Sequence, residues 1–216
     1  MKEGDKKFKR KLILLSPLLI IALGYLTAKI GGYYLGVWSW IPLTIIIWSA
    51  MVFFIFYGTN KEARLKWLQP SKGKWGWLVL AILVGFIPLP LLLFHWQLLI
   101  PTEIWVSWLI FGFVNPWIEE SYWRGLLMDA TGNWKPWQVI GYTSILFAAS
   151  HPIMWGVNSV ANFTPEVFMS TLIMGVIWAV VYYKTQSIRW VIASHILVDL
   201  FNLSIPVFLN LYIPPV

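Results

Sequence analysis

Six ionisable residues lie inside apolar segments that are long enough to cross a lipid bilayer. They are Glu119, Glu120 and Arg124 in one segment, His151 in the next, and His195 and Asp199 in the last. A charge at the bilayer centre costs about 2.5–3.5 kcal/mol even on lenient insertion scales. We therefore expect these side chains to face the interior of a helix bundle and to contact one another.

The composition is that of an integral membrane protein. Of the 216 residues, 59% are hydrophobic and 12% are charged, and the mean hydropathy is +0.70. Soluble domains carry about 25% charged residues. We predict an all-α, polytopic membrane helix bundle that forms a single domain over residues 1–216. Cysteine is absent, which excludes disulfides and a thiol nucleophile.

Hydropathy predicts about seven transmembrane helices of roughly 20 residues each. The predicted spans are 12–30, 38–57, 75–98, 104–128, 137–157, 165–183 and 189–205. The segment 58–76 is predicted to be a loop with a short interfacial helix, and Pro88 and Pro90 are predicted to kink the third span. The polar motifs lie in a core at about 104–205, and the helices within 12–98 are predicted to be accessory.

The basic residues predict the orientation of the chain. Apart from Lys29, every Lys and Arg lies on one side of a seven-span arrangement. By the positive-inside rule, this predicts a plasma-membrane protein whose amino terminus is cytoplasmic and whose carboxyl terminus, at Val216, is outside. Lys2 is the first of the basic residues that precede the first span. The net charge of +7 is then a signal of topology and of contact with the bilayer rather than of nucleic-acid binding.

The fourth predicted span carries the sequence EESYWRG, beginning at Glu119. Glu120 and Arg124 are four residues apart and lie on one helix face, where an internal ion pair would let both charges enter the bundle. The Glu119 side chain is rotated about 100° around the helix axis from that face and has no partner on its own helix. It is therefore either protonated or engaged with another helix.

Two further spans carry histidine. The fifth contains FAASH, which ends at His151, and the seventh contains SHILVD, which places His195 and Asp199 on one face with Asn202 a turn later. A lone histidine in a helix is most often a packing residue. A His–Asp pair at this spacing can be a helix hydrogen bond, a metal chelate or an orienting pair. The third histidine, His95, is interpreted as interfacial.

Taken together, these motifs resemble the CAAX protease and bacteriocin-processing family, also called Abi, which includes the type II CAAX prenyl endopeptidases. The shared pattern is Glu-Glu-x-x-x-Arg, then Phe-x-x-x-His, then His-x-x-x-Asn/Asp, and it runs from about Asn115 to Asn202. The resemblance implies an intramembrane endopeptidase that cleaves a membrane-associated peptide or protein. In a bacterial host, leader peptides, pheromones or bacteriocin precursors fit this role better than prenylated proteins.

The resemblance also implies a role for each residue. By position, Glu119 and His151 would hold and activate the attacking water, and His195 and Asp199 would stabilise the oxyanion. The prenyl endopeptidases carry Asn at the last position. An ionised Asp199 would repel an oxyanion, so it must be protonated, orient His195 or bind a metal.

Hydrolysis of an amide needs an activated water, stabilisation of the oxyanion and a proton for the leaving amine. The same four side chains could instead hold Zn²⁺ or another divalent metal, which lowers the pKa of bound water to about 7. The chain contains no H-E-x-x-H motif. We favour a metal-free glutamate mechanism without a cofactor, in which Glu120 and Arg124 give structural support.

Two other functions are compatible with the sequence. The chain could be a non-catalytic bacteriocin self-immunity or scaffold protein on the same fold, or a small ion-coupled transporter that uses the same carboxylates. Glycine-broken paired helices and an inverted repeat would favour the transporter, and the sequence has neither. No feature of the sequence predicts an oligomeric state.

The depth of the candidate residues constrains the bundle. At ~1.5 Å per residue, His195 lies about 9 Å and His151 about 21 Å from the predicted cytoplasmic ends of their helices. Bringing them together requires helix offset, tilt or bends at Pro116 and Pro152. We expect a cavity inside the membrane that is reached from the cytoplasmic side or laterally from lipid.

Overall fold

A computed structural model describes residues 3–213, which form an all-α membrane helix bundle. The protein is 84% helical. The predicted fold class is therefore confirmed. Two residues used for the predicted orientation, Lys2 and Val216, lie outside the described residues.

The helices of residues 3–213 run in the following order. They are α1 (Glu3–Leu35), α2 (Trp40–Gly58), α3 (Lys61–Trp67), α4 (Gly76–Gly85), α5 (Leu89–His95), α6 (Thr102–Glu120), α7 (Leu127–Thr131), α8 (Pro136–Met154), α9 (Pro165–Thr185), α10 (Arg189–Phe201) and α11 (Ser204–Phe208). A π-helix, Ser121–Leu126, joins α6 to α7 without a break. Short 3₁₀ turns lie at Gly36–Ser39, Trp96–Leu99, Trp155–Val157 and Ala161–Phe163.

Each of the seven predicted spans contains at least one helix, and the predicted short helix after α2 is α3. The first span is longer than predicted, because α1 begins at Glu3 and includes the basic segment. The third is broken between α4 and α5, next to the predicted kink at Pro88 and Pro90. The seventh is also broken, because Leu203 adopts a left-handed conformation (φ +57°) between α10 and α11.

Within residues 3–213, three helical segments are long and apolar enough to cross a membrane by length and composition. They are Glu3–Gly58, Gly76–Leu99 and Pro165–Thr185. The helices that carry the ionisable residues, α6, α8 and α10, are not among them. At 1.5 Å per residue, the 13 residues of α10 extend about 20 Å, which is shorter than the ~30 Å apolar layer.

Helix α10 packs against α4, α5, α6 and α9. It approaches α4 closely at Gly85, where an added Cβ would lie 2.9 Å from the Ser194 carbonyl oxygen. On the same face, Trp178 Nε1 donates a hydrogen bond to Ser194 Oγ at 2.9 Å, and Ser194 Oγ donates to the Ala81 carbonyl at 2.5 Å. These contacts fix the helix that bears His195.

The segment between α8 and α9 folds into the bundle. Trp155 and Asn162 are both buried, and the Trp155 ring stacks on Phe208 at 4.6 Å between centroids. Irregular backbone inside a membrane protein is tolerated where it is enclosed by protein. The backbone that follows the carboxyl end of α8 therefore lies inside the protein.

Candidate active site

The two adjacent glutamates stand at the junction of α6 and the π-helix. Glu119 is 6% exposed and Glu120 is fully buried. Neighbouring residues of an α-helix point about 100° apart, yet both carboxylates lie within 4 Å of the His195 ring nitrogens. Single π-turns inside α-helices are frequent at functional sites. The sequence predicts one continuous helical span here, and the π-turn at Ser121–Leu126 is a departure from a regular α-helix.

The predicted ion pair between Glu120 and Arg124 is present. Arg124 Nε lies 3.2 Å from Glu120 Oε2, and Arg124 Nη1 donates to Glu120 Oε1 at 3.2 Å. The third guanidinium nitrogen, Arg124 Nη2, donates to the Gly175 carbonyl at 3.3 Å, and the guanidinium lies over the Phe147 ring. Both charges are therefore buried with partners, as charges inside a membrane bundle must be.

His195 lies among three carboxylates. Its Nδ1 is 2.7 Å from Glu120 Oε1, and its Nε2 is 3.8 Å from Glu119 Oε2 and 3.5 Å from Asp199 Oδ1. Trp178 stacks on the ring, with centroids 4.6 Å apart. Because Nδ1 is bound to Glu120 and the ring face is covered, Nε2 is held toward Glu119 and Asp199.

A chain of hydrogen bonds reaches Asp199 from the accessory helices. Trp48 Nε1 donates to Asn115 Oδ1 at 2.8 Å, and Asn115 Nδ2 donates to Asp199 Oδ2 at 3.0 Å. Asn115 and Asp199 are 4% and 6% exposed. The chain occupies Oδ2 and leaves Oδ1 facing His195, so α2 contributes to the geometry of the site.

His151 is oriented by its own helix. Its Nδ1 lies 3.0 Å from the Phe147 carbonyl oxygen, which can only accept a hydrogen bond, so Nδ1 carries the proton. The Phe147 ring packs edge-on against the imidazole at 5.0 Å between centroids. In this tautomer Nε2 is the nitrogen that can accept a proton.

Two adjoining cavities lie beside these side chains. Glu119, His151, His195 and Asp199 all line the smaller one, which has a volume of about 60 Å³, room for roughly two waters at ~30 Å³ each. The larger cavity has a volume of about 210 Å³ and shares His151, His195 and Asp199 with it. The wall of the larger cavity is mostly apolar and includes Leu91.

The family model described as type II CAAX prenyl endopeptidase Rce1-like matches residues 101–201. The predicted family resemblance is confirmed. No curated protein and no solved structure matched the chain. The Rce1-like region spans slightly less than half of the chain and contains Glu119, His151, His195 and Asp199, the four candidate catalytic residues.

Several residues of the site carry no signal in the sequence for the role that the structure gives them. Asn162 lines both cavities from the buried turn after α8, and Trp178 covers the His195 ring. Neither lies in a motif with a recognisable spacing. Asn115 marks the start of the motif-bearing stretch, but its bond to Asp199 depends on how α6 packs against α10. Trp48 lies outside the Rce1-like region altogether.

His95 and the possible metal site are the other candidates from the sequence. The His95 ring packs against Tyr212 at 4.9 Å, and neither of the two cavities has His95 in its wall. Within residues 3–213, no group of three or more His, Asp or Glu side chains is arranged to hold a metal ion.

Proposed function

We propose that this protein is an intramembrane endopeptidase that hydrolyses a peptide bond in a membrane-associated peptide or protein. The family match supports a CAAX-type intramembrane endopeptidase in general. The observation that carries the proposal is that Glu119, His151, His195 and Asp199, from three separate helices of the Rce1-like region, line one buried cavity large enough for water.

Glu119 and His151 are the groups that activate water in this proposal. The Glu119 carboxylate and the unprotonated Nε2 of His151 border the smaller cavity. A water held between them loses a proton to Glu119 as its oxygen attacks the scissile carbonyl carbon. Glu119 then returns that proton to the nitrogen of the leaving amine, so the carboxylate is regenerated at the end of the cycle.

In this proposal His195 is an imidazolium: its Nδ1–H donates to Glu120 Oε1, and the proton on Nε2 is donated to the oxyanion. Asp199 acts through His195. The position of Asp199 Oδ1, 3.5 Å from His195 Nε2, supports the second of the three roles considered for this residue, orientation of His195. Glu120 holds the other ring nitrogen. A preorganised N–H aimed at developing negative charge is the usual means of stabilising a tetrahedral intermediate.

The lining of the larger cavity favours an apolar substrate that enters from the lipid. Its wall includes Leu91 of α5 and Met174 of α9, and it reaches Ile87, which is 67% exposed on the surface of the bundle. No residue of the amino-terminal basic segment lines it. This favours lateral entry between α5 and α9. An apolar side chain next to the scissile bond fits such a wall, as in a bacteriocin precursor or leader peptide of the plasma membrane.

The test is cleavage of membrane-anchored reporter peptides by the purified, full-length protein, with products identified by mass spectrometry. Glu119→Gln is the inactive comparison, and Glu103→Gln, an exposed glutamate at the other end of α6, is the matched control. We expect cleavage by wild type and by Glu103→Gln only. A bacteriocin self-immunity or scaffold protein would leave every peptide intact, and a transporter would show Glu119-dependent ion flux in liposomes without cleavage.

A further inference from the structure

A separate and larger cavity lies at the end of the bundle where α1 begins. It has a volume of about 560 Å³ and is bounded by α1, the turn from α2 to α3, and α7. We call it the basic pocket. Its rim carries Lys6, Lys9 and Arg10, and its apolar floor includes Ile13, Ala63 and Leu126.

Two of the three basic side chains of the rim are held in place. Arg10 Nε donates to the Ala130 carbonyl at 2.7 Å, and another of its nitrogens donates to the Thr131 carbonyl, so the guanidinium closes the end of α7. Lys9 Nζ lies 5.4 Å from the centre of the Tyr57 ring. Among the ion pairs formed within residues 3–213, none involves the three basic residues of the rim.

One carboxylate also borders the basic pocket, but it is already occupied. Asp129 Oδ2 accepts a hydrogen bond from Trp67 Nε1 at 2.8 Å, and Asp129 Oδ1 accepts one from Tyr182 at 3.1 Å. Asp129 therefore stabilises the packing of α3 and α9 against α7. The rim has an excess of positive charge that an anion can neutralise.

The predicted topology places the basic pocket at the level of the lipid headgroups. The apolar run of α1 starts at Leu12, directly after the basic rim, and α2 ends at Gly58, which lines the pocket. A cationic rim above an apolar floor at this depth matches a phosphate with the glycerol and the first acyl carbons behind it. Basic pockets between membrane helices bind anionic lipid headgroups by this combination.

We propose that the basic pocket binds the phosphate group of an anionic phospholipid. Lys6 and Lys9 contact the phosphate, Arg10 holds the rim against α7, and the lipid glycerol packs on Ala63 and Leu126. This site is independent of the endopeptidase function.

The test is to add each of four probes to the full-length protein in a neutral detergent and to measure the thermal unfolding temperature at each concentration. The probes are short-chain phosphatidylglycerol, phosphatidylcholine of the same chain length, inorganic phosphate and an oligoglutamate peptide. We expect phosphatidylglycerol to raise the unfolding temperature saturably and the other three to have little effect. In the double variant Lys6→Ala/Lys9→Ala, the apparent affinity for phosphatidylglycerol should fall at least about tenfold, because each basic residue near anionic lipid contributes to binding.

Two further variants distinguish binding in the basic pocket from nonspecific attraction between anionic lipid and the positive charge of the protein. Lys72→Ala/Lys74→Ala removes the same charge from exposed positions in the loop before α4 and should leave the affinity unchanged. Ala63→Phe keeps every charge but fills the floor, and should abolish the response. Equal losses in both double variants, or an intact response in Ala63→Phe, would overturn the proposal. A response to inorganic phosphate alone would overturn the lipid source, and a response to the acidic peptide alone would make this a peptide site.

Discussion

Glu120 Oε1 lies 2.7 Å from His195 Nδ1, so the same carboxylate that pairs with Arg124 also orients a histidine of the candidate active site. From the sequence, Glu120 and Arg124 were expected to support the bundle only. The structure joins this ion pair directly to the cavity, because a carboxylate bound to one imidazole nitrogen fixes the direction of the other.

Arg124 is expected to matter for stability. In Arg124→Ala, the buried Glu120 carboxylate loses its cationic partner, and breaking a buried pair costs about 3–5 kcal/mol. We expect a lower thermal unfolding temperature and a lower yield of extracted protein. Lys74→Ala removes an exposed positive charge and serves as the control. A variant that is as stable as wild type but inactive would place Arg124 in the catalytic machinery instead.

Glu119 is expected to be the general base. Glu119→Gln preserves the size of the side chain and removes its basicity, so the cleavage rate should fall at least about 100-fold. The yield and the unfolding temperature should stay close to those of wild type, since Glu119 makes no ion pair with Arg or Lys among residues 3–213. The measurement is the rate of reporter cleavage by equal amounts of folded protein. Full activity in this variant would disprove the mechanism.

The sequence predicted those features of the fold that depend on local chemistry. Apolar runs of about 20 residues indicated where helices lie, the four-residue spacing indicated the Glu120–Arg124 pair, and prolines marked the break before α5. The ends of elements were less predictable. The left-handed position after α10 is occupied by Leu203 and not by a glycine or by the neighbouring Asn202, and the first turns of α1 are basic rather than apolar.

The candidate site depends on packing that a sequence does not encode locally. Its three motifs were visible, but the contact between Glu120 and His195 depends on the register of α10 against α6. The buried turn that brings Asn162 to the cavity lies between predicted spans, where an exposed loop is the usual expectation. Trp48 is more than 60 positions from Asn115, so no motif could link them.

The hydrogen-bond chain from Trp48 to Asp199 should affect catalysis at a distance. Asn115→Ala removes the donor to Asp199 Oδ2, and we expect a rate loss of about 10- to 100-fold, typical of residues that orient a functional group. Trp48→Phe removes only the indole N–H and should have a smaller effect in the same direction. The conservative variant Asn115→Gln retains an amide donor and should recover part of the rate.

Trp108→Phe is the matched control for this chain. Trp108 also donates an indole hydrogen bond to α10, at 3.0 Å, but to the Leu200 carbonyl rather than toward Asp199. We expect its cleavage rate to stay near that of wild type. If Trp108→Phe and Trp48→Phe lose equal activity, the effect comes from general packing of α10 and not from the orientation of Asp199.

The seven-span arrangement predicts the positions of the two termini. A reporter that is active only in the cytoplasm should be active when fused before α1 and silent when fused after Val216. The reason is the asymmetry of Lys and Arg across the arrangement. A strong cytoplasmic signal from the carboxyl-terminal fusion would mean that one helix does not span, and the short α10 would be the first to re-examine.

Asp199 distinguishes the metal-free mechanism from a zinc mechanism. If Asp199 only orients His195, Asp199→Asn should keep more than about a tenth of the wild-type rate, whereas losing an oxyanion donor costs about 100- to 1,000-fold. An amide can still contact His195, and the related prenyl endopeptidases carry Asn at this position. As a metal ligand, however, the amide is neutral and weaker, so metal affinity and activity would fall together.

The measurements are the cleavage rates of both proteins before and after exhaustive chelation, with metal content determined in parallel. An inactive Asp199→Asn, together with about one zinc per wild-type chain and a reversible loss of activity on chelation, would reassign Glu119, His151, His195 and Asp199 as metal ligands.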